Sequence, residues 1–243
     1  MTSARWGGRF STTRWTMVSA AGGQPDGAGS QALAELCQIY WPPLYSYLRR
    51  QGYGREQAED LTQGFFVSLL ERQGLQSADQ ARGRFRGFLL TALKRYVINE
   101  HERATAARRG GPVRLLLTLD FDDAERSFAR GLGSEDTPER EFDRKWAALC
   151  IDRALASLRA EYREAGKGAV ADALLPYLTD SGPLPSYSAI AQDLLMSEGA
   201  VKVAVHRLRQ RFGSILRLQI TDTVLSPADA DDEMRELLRV VAS

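Results

Sequence analysis

The sequence predicts an all-α protein made of two helical domains joined by an acidic linker. Apolar residues recur every three or four positions in several long segments, which is the period of an amphipathic helix. No segment of useful length alternates apolar and polar residues, as a half-buried β-strand would. An acidic stretch interrupted by glycine and proline separates two groups of helical segments. Together these observations favour two helical units.

Composition excludes several classes of protein. The chain of 243 residues suffices for one large or two small domains, and 44% apolar residues are too many for a wholly disordered chain. The net charge of +1 excludes a uniformly basic coat but leaves room for local patches. No run of about 18 apolar residues could span a membrane, and the N-terminus lacks the apolar core of a secretory signal. We therefore expect a cytoplasmic protein.

Metal-ligating residues are few. Two cysteines, Cys37 and Cys150, and two histidines, His101 and His206, do not suffice for a disulfide framework or a zinc site. We expect two buried, reduced thiols and no metal ion or cofactor.

Glycine, proline and charge divide the chain into five segments. They are an N-terminal extension (1–30), a first helical domain (31–112), an acidic linker (113–140), a second helical domain (141–218) and a C-terminal extension (219–243). The first domain is predicted to hold helices over 31–50, 55–73 and 83–109. A kink or brief break is expected at Trp41, because Pro42 and Pro43 follow it. The second is predicted to hold a helix from Glu141 and others over 170–178, 186–194 and 197–218.

The segment 82–114 carries a basic footprint that the average charge conceals. It holds nine basic and two acidic residues, a net charge of +7, with Phe85, Phe88 and Tyr96 interleaved. Cations on a helical face neutralise phosphates, and exposed aromatic rings stack on unpaired bases. We expect the basic face to bind nucleic acid and the aromatic rings to belong mainly to the core.

The segment 186–211 has the pattern of a helix-turn-helix. Ile190 lies in a first apolar face, Ser197 suits a helix N-cap, and Val201 and Val205 point inward from a second helix. The outer face of such a second helix reads base edges and binds phosphates. The residues expected to contact DNA are Ser197, Lys202, Val203, His206, Arg207, Arg209 and Arg211. The alternative is a plain helical hairpin with a basic surface.

Four stretches together resemble the extracytoplasmic-function (ECF) group of sigma factors, which are promoter-specificity subunits of bacterial RNA polymerase. Residues 40–48 (YWPPLYSYL) are similar to the first helix of sigma domain 2, and 58–66 (AEDLTQGFF) to its polymerase-docking motif. Residues 85–103 resemble the promoter −10 region, and 186–211 resemble sigma domain 4. They follow the family's order over roughly two thirds of the chain. The sequence of residues 58–66 is similar to that of an ECF branch in which some members are linked to Ser/Thr kinases.

The resemblance implies that the polymerase core is a partner, through the β′ clamp and the β flap. The residues matching its clamp-binding positions are Glu59, Asp60, Gln63 and Phe66. Many family members carry an acid where this chain has Gly64, which predicts a weaker or assisted contact. An anti-sigma factor or a Ser/Thr kinase is a further expected partner. Phosphate on Thr62, inside the motif, would add about −1.5 to −2 charges.

The resemblance also implies contacts with promoter DNA. The residues expected at the −10 element are Arg84, Phe85, Arg86, Phe88, Lys94 and Arg95, beside a base-binding loop over 76–84. Lys202, Val203 and His206 match positions that read the −35 element, where valine offers only an apolar contact. The acidic linker would pass through the positively charged RNA-exit path. The C-terminal extension could dock on either domain or receive a regulator. Its acidic residues could cover a basic DNA-binding face; they are Asp229, Asp231, Asp232 and Glu233.

Two alternatives to a sigma factor remain open. A helix-turn-helix regulator that never joins the polymerase would have no need of the motif over 58–66. An enzyme of phosphoryl chemistry would use Asp120, Asp122 and Asp123 as metal ligands, but they lie in a linker with no partner motif. The sequence therefore predicts a promoter-recognition factor that is not an enzyme.

Overall fold

The computed structural model describes residues 27–71, 85–106, 119–130, 137–179, 182–224 and 227–242. Every regular element in these ranges is a helix, and no β-strand occurs among them, which confirms the all-α prediction. Residues 1–26 of the predicted N-terminal extension and the predicted base-binding loop, including Arg84, lie outside the described residues.

Ten helices are found in the described part of the chain. In order they are α1 (Gly27–Arg50), α2 (Arg55–Glu71), α3 (Phe85–Ala106), α4 (Phe121–Arg130), α5 (Pro138–Glu164), α6 (Gly168–Leu174), α7 (Pro176–Thr179), α8 (Tyr187–Asp193), α9 (Glu198–Thr221) and α10 (Pro227–Val241). The helix predicted over 170–178 is thus two helices, because Pro176 cannot donate the backbone hydrogen bond that would continue α6.

The chain divides into two compact units. Unit 1 comprises the described residues up to Ala147 together with those from Thr221 onward, and unit 2 comprises Ala148–Ile220. The chain therefore leaves unit 1 and later returns to it. The predicted boundaries at 141 and 218 differ from these, because α5 and α9 are continuous helices that each contain residues of both units. A helical period does not show where along a helix the packing partner changes.

The core of unit 1 is built around α1. Tyr40, Leu44 and Leu48 are fully buried, as are Phe66 of α2 and Phe85 of α3. The rings of Tyr40 and Phe85 meet edge to face with 5.1 Å between their centroids. Burying a large apolar side chain stabilises the fold by about 1.5–3 kcal/mol, so this spacing of three and four residues holds the three helices around one core.

Helix α1 runs without interruption through Pro42 and Pro43, and the predicted break at Trp41 is absent. Proline in a helix interior costs about 3 kcal/mol, because it removes a hydrogen bond and clashes with the preceding turn. Trp41 and Leu44, which flank the prolines, are both buried. Tertiary packing of this face offsets the cost and keeps the segment helical.

The predicted acidic linker is in part a packed element. Its helix α4 buries Phe121, Ala124 and Phe128 in unit 1. The carboxylate of Glu125 accepts hydrogen bonds from Nε and Nη2 of Arg49 at 3.0 and 2.8 Å. The interpretation of residues 121–130 as a linker is therefore wrong, because three apolar residues at helical spacing find a partner surface on α1.

Unit 2 holds the remainder of α5 and helices α6 to α9. Its buried apolar residues include Ala154, Leu158, Leu174, Ile190, Val201, Val205 and Leu208. Cys150 is a buried free thiol, as predicted, whereas the side chain of Cys37 is not described. This core supports the pair α8–α9, which carries the predicted DNA-contacting residues.

Candidate nucleic-acid and polymerase interfaces

The turn between α8 and α9 is fixed by hydrogen bonds at both helix ends. The backbone N–H of Met196 donates to the carbonyl of Ala191 at 2.9 Å, and Leu195 takes a left-handed φ of 53°. This is the geometry by which a helix ends with its last carbonyls satisfied. At the start of α9, Ser197 Oγ accepts from the N–H of Ala200 at 3.2 Å, so Ser197 is the predicted N-cap.

Helix α9 has one buried face and one exposed face. Val201, Val205 and Leu208 are buried against unit 2. The predicted DNA-contacting residues of α9 are all exposed; they are Lys202, Val203, His206, Arg207, Arg209 and Arg211. The Val203 side chain is 49% exposed, although it is aliphatic. The exposed face of α9 is thus a mostly cationic ridge, and an α-helix has the dimensions to enter a DNA major groove.

Two arginines of this ridge form hydrogen bonds within unit 2. Arg211 donates from Nε and Nη2 to the carboxylate of Glu161 at 2.7 and 2.6 Å, and these bonds hold the pKa of Glu161 below its ordinary value. Arg209 donates to the carbonyl of Tyr177 at 3.3 Å. Exposed pairs of this kind contribute little to stability. They orient the two guanidinium groups at the surface of unit 2.

The start of α3 places predicted −10 residues in the interior. Phe85 is fully buried, and Phe88 is half-buried, with its ring centroid 6.1 Å from that of Phe85. Arg86 is also buried and forms ion pairs with Glu233 and Asp143. Phe85 is a core residue, as expected for the aromatic rings of the segment 82–114. The surface role predicted for Arg86 is not available in this conformation, because carboxylates enclose its guanidinium group.

The two later cations of α3 differ in their surroundings. Lys94 donates to Glu139 Oε1 at 2.7 Å and lies 5.6 Å from the ring centroid of Tyr47. The bond to Glu139 raises the pKa of Lys94. Arg95 is exposed. Of this pair, Arg95 presents its charge more directly to solvent.

The predicted polymerase-docking residues of α2 are also divided. Asp60 is exposed and Gln63 is half-buried, whereas Phe66 is fully buried. Phe66 is therefore a core residue of unit 1, and its ring does not reach the surface. Glu59 accepts from Arg55 Nε at 2.8 Å, and Arg55 also pairs with Asp122 of α4. Acidic groups from two helices thus meet at one guanidinium group.

The middle of the motif over 58–66 is shaped by helix packing. Thr62 is fully buried, and its hydroxyl donates to the carbonyl of Ala58 at 2.7 Å. A kinase could reach that hydroxyl only after local unfolding. A Cβ atom at Gly64 would lie 2.3 Å from the hydroxyl oxygen of Tyr96. Gly64 therefore allows α3 to approach α2. This gives a structural reason for a glycine at a position where we expected an acid from the resemblance.

Sequence reasoning missed the residues that pair with the predicted cations. The sequence pattern does not pair Asp143 and Glu139 with Arg86 and Lys94, and it places Glu125 in the acidic linker. The signal for Glu125 was present, since Phe121, Ala124 and Phe128 follow a helical period. Asp143 and Glu139 carry no such signal, because their partners lie 57 and 45 residues away in the chain.

Together these features define an all-helical protein with a cationic helix ridge and an acidic helix surface. Residues 36–107 match the family described as Sigma-70 region 2. No match was found among curated proteins or among solved structures. The described side chains include no group of three or more potential metal ligands. None of the described helices is long and apolar enough to cross a bilayer.

Proposed function

We propose that the protein is an alternative sigma factor of the ECF type. It binds core RNA polymerase, directs it to −35 and −10 promoter elements, helps to open the duplex and is then released. The polymerase performs all the chemistry, and the function places the protein in the cytoplasm. The observation that carries the proposal is the match over residues 36–107, which covers the segment expected to hold the polymerase-docking and −10 contacts.

Unit 1 supplies the polymerase contact in this proposal. The exposed carboxylate of Asp60, with Glu59 and Gln63 beside it, faces the basic helices of the β′ clamp. Charge complementarity of this kind speeds association and fixes orientation more than it raises affinity. The pairing of Arg55 with Glu59 and Asp122 brings α4 next to this surface. An anti-sigma factor would act by covering the same residues.

Unit 2 supplies the −35 contact. Lys202, Val203 and His206 lie on the exposed ridge of α9 and would face base edges, while Arg207, Arg209 and Arg211 would bind phosphates. Val203 offers an apolar surface that suits the methyl group of thymine. At the −10 element, Arg95 and the half-buried Phe88 are the described residues placed to help. Extruding a base there costs a few kcal/mol, which phosphate contacts and stacking must offset.

Run-off transcription with core polymerase tests this proposal. The protein should direct a promoter-specific product from promoters of its own genome, and Lys202→Ala should lower that product roughly tenfold, because one base or phosphate contact is lost. Lys167→Ala removes an equally exposed lysine elsewhere in unit 2 and should have no effect. No specific product on any such promoter would contradict the proposal.

A β′ clamp pull-down separates the proposal from a DNA-binding regulator that does not join the polymerase. The protein should be retained by the clamp, and Asp60→Lys should weaken retention. Asp193→Lys makes the same charge change on an exposed residue of unit 2 and should not weaken retention by the clamp. Sequence-specific DNA binding without clamp retention would favour the regulator.

A further inference from the structure

The segment after α9 returns to unit 1 and meets the start of α3. The carbonyl of Thr223 accepts a hydrogen bond from the backbone N–H of Phe85 at 3.2 Å, and Val224 is fully buried. The first N–H groups of a helix have no partner within that helix. The C-terminal segment therefore supplies one of the partners that α3 needs at the point where predicted −10 residues begin.

Helix α10 continues this segment with a narrow buried face. Among its described residues, Ala230, Glu233 and Leu237 are each 1% exposed, and their spacing places them on one side of the helix. Two of the three are apolar, and one of those is an alanine, while Met234 and Val240 are half-buried, so the apolar area that docking buries is modest. A 15-residue helix is marginal on its own in water. The docked state therefore depends strongly on the remaining buried group, Glu233.

Glu233 binds Arg86 in a bidentate ion pair. Arg86 donates from Nε to Oε1 at 2.9 Å and from Nη2 to Oε2 at 3.2 Å, and its third nitrogen, Nη1, pairs with Asp143. The guanidinium carbon lies 4.3 Å from the ring centroid of Trp146. Burial alone would lower the pKa of Arg86, but the two carboxylates outweigh burial and keep that pKa above its ordinary value. The carboxylates take the positions that phosphate oxygens would occupy around an arginine.

We propose that α10 is a releasable latch, in which Glu233 covers the Nε and Nη2 edge of Arg86. Release of the helix frees that edge to bind a phosphate, while Nη1 stays paired with Asp143. The nature of the ligand rests on the proposed function, because Arg86 lies within the segment that matches Sigma-70 region 2. A phosphate and the Glu233 carboxylate compete for the same guanidinium group. Polyanionic DNA therefore favours the open state, and the closed state restrains binding in its absence.

The test compares two full-length variants with the same change of charge, Glu233→Lys and Asp231→Lys. Glu233 is buried against Arg86, whereas Asp231 is exposed on the same helix. Hydrogen exchange measured by mass spectrometry reports docking, through protection of 227–241 and of the start of α3. Glu233→Lys should lose this protection and Asp231→Lys should keep it. Glu233→Gln keeps the side-chain shape and should lose part of the protection. It serves as the test variant if Glu233→Lys proves poorly folded.

Binding of a fluorescent DNA duplex to the same proteins reports the restraint. Glu233→Lys should bind roughly tenfold more tightly than Asp231→Lys, with a salt dependence steeper by about one phosphate contact. Arg86→Ala in the Glu233→Lys background should abolish that gain. Equal affinity of the two lysine variants despite loss of protection would overturn the latch, as would full protection in Glu233→Lys and Glu233→Gln. A missing promoter-specific transcript would instead refute the sigma-factor proposal, since exchange and duplex binding are measured without polymerase.

Discussion

Leu195 shows how a single backbone angle shapes the candidate −35 site. It has a φ of 53° and is the one non-glycine residue with positive φ among the described residues, yet its side chain is 95% exposed. A branched side chain in this region costs about 1–2 kcal/mol, because its Cβ crowds the following carbonyl. The turn that positions α9 therefore contains local strain that no burial of Leu195 offsets.

Leu195→Gly should stabilise unit 2. Relief of the left-handed strain exceeds the roughly 0.4–1 kcal/mol that glycine costs through greater freedom of the unfolded chain, so a net gain of about 0.5 kcal/mol is expected. Chemical denaturation measures it. Leu218→Gly, at a 63% exposed site inside α9, is the control and should destabilise by about 1 kcal/mol. Equal losses in the two variants would show that the turn is not strained.

At the level of elements, the contact between α2 and α3 depends on one small and one large residue. Gly64 on α2 leaves room for the ring of Tyr96 on α3, and the rings of Phe65 and Tyr96 meet nearly edge to face at 5.8 Å. The same position carries an acid in many proteins that this chain resembles. A longer side chain here requires Tyr96 to move, so an acid at this position conflicts with the packing of α3 against α2.

Gly64→Ala should destabilise unit 1 by about 1–3 kcal/mol, although alanine is the better helix former, because the added methyl group overpacks the contact. Tyr96→Phe removes the hydroxyl oxygen that lies 2.3 Å from the added Cβ. The double variant should therefore lose less stability than the two single changes added together, as measured by thermal and urea unfolding.

Gly87→Ala is the matched control for that cycle. A Cβ at Gly87 meets nothing within 4 Å, and the residue is exposed on α3. It should be neutral or stabilising. Strict additivity of Gly64→Ala and Tyr96→Phe would mean that the two residues do not compete for space.

At the scale of the whole molecule, distant segments of the chain are gathered into unit 1. Helix α4 is tied to α1 through the pair Arg49–Glu125, and α10 is tied to α3 through the pair Arg86–Glu233. Arg86 also pairs with Asp143 of α5. Glu125 accepts from Arg49 and from the hydroxyl of Tyr45; burial, followed by the bond to Glu125, raises the pKa of Tyr45. Ion pairs thus join segments of unit 1 that are far apart in sequence.

Glu125→Gln should weaken unit 1 by roughly 1 kcal/mol near neutral pH, because a partly buried, bidentate ion pair is lost. The hydrogen bonds from Arg49 hold the pKa of Glu125 below its ordinary value of 4.5. The stabilisation is therefore fully present above that value and is lost as the pH falls through the lowered pKa. The difference in unfolding free energy between wild type and variant should narrow below pH 4.5. Glu102→Gln, at an exposed site of α3, serves as control, and a gap that does not depend on pH would count against the ion pair.

The sequence by itself determined the helical class, most helix positions, the N-cap at Ser197 and the exposed face of α9. Each of these depends on residues within a turn or two of one another, so local periodicity and capping chemistry reveal them. Only the tertiary structure decided that Phe66 and Arg86 are buried, that α4 is packed and that the C-terminal segment rejoins unit 1. Those outcomes depend on partners such as Glu233, which lies 147 residues from Arg86. Burial of a charged or aromatic side chain is set by what the fold brings against it, and no local pattern carries that information.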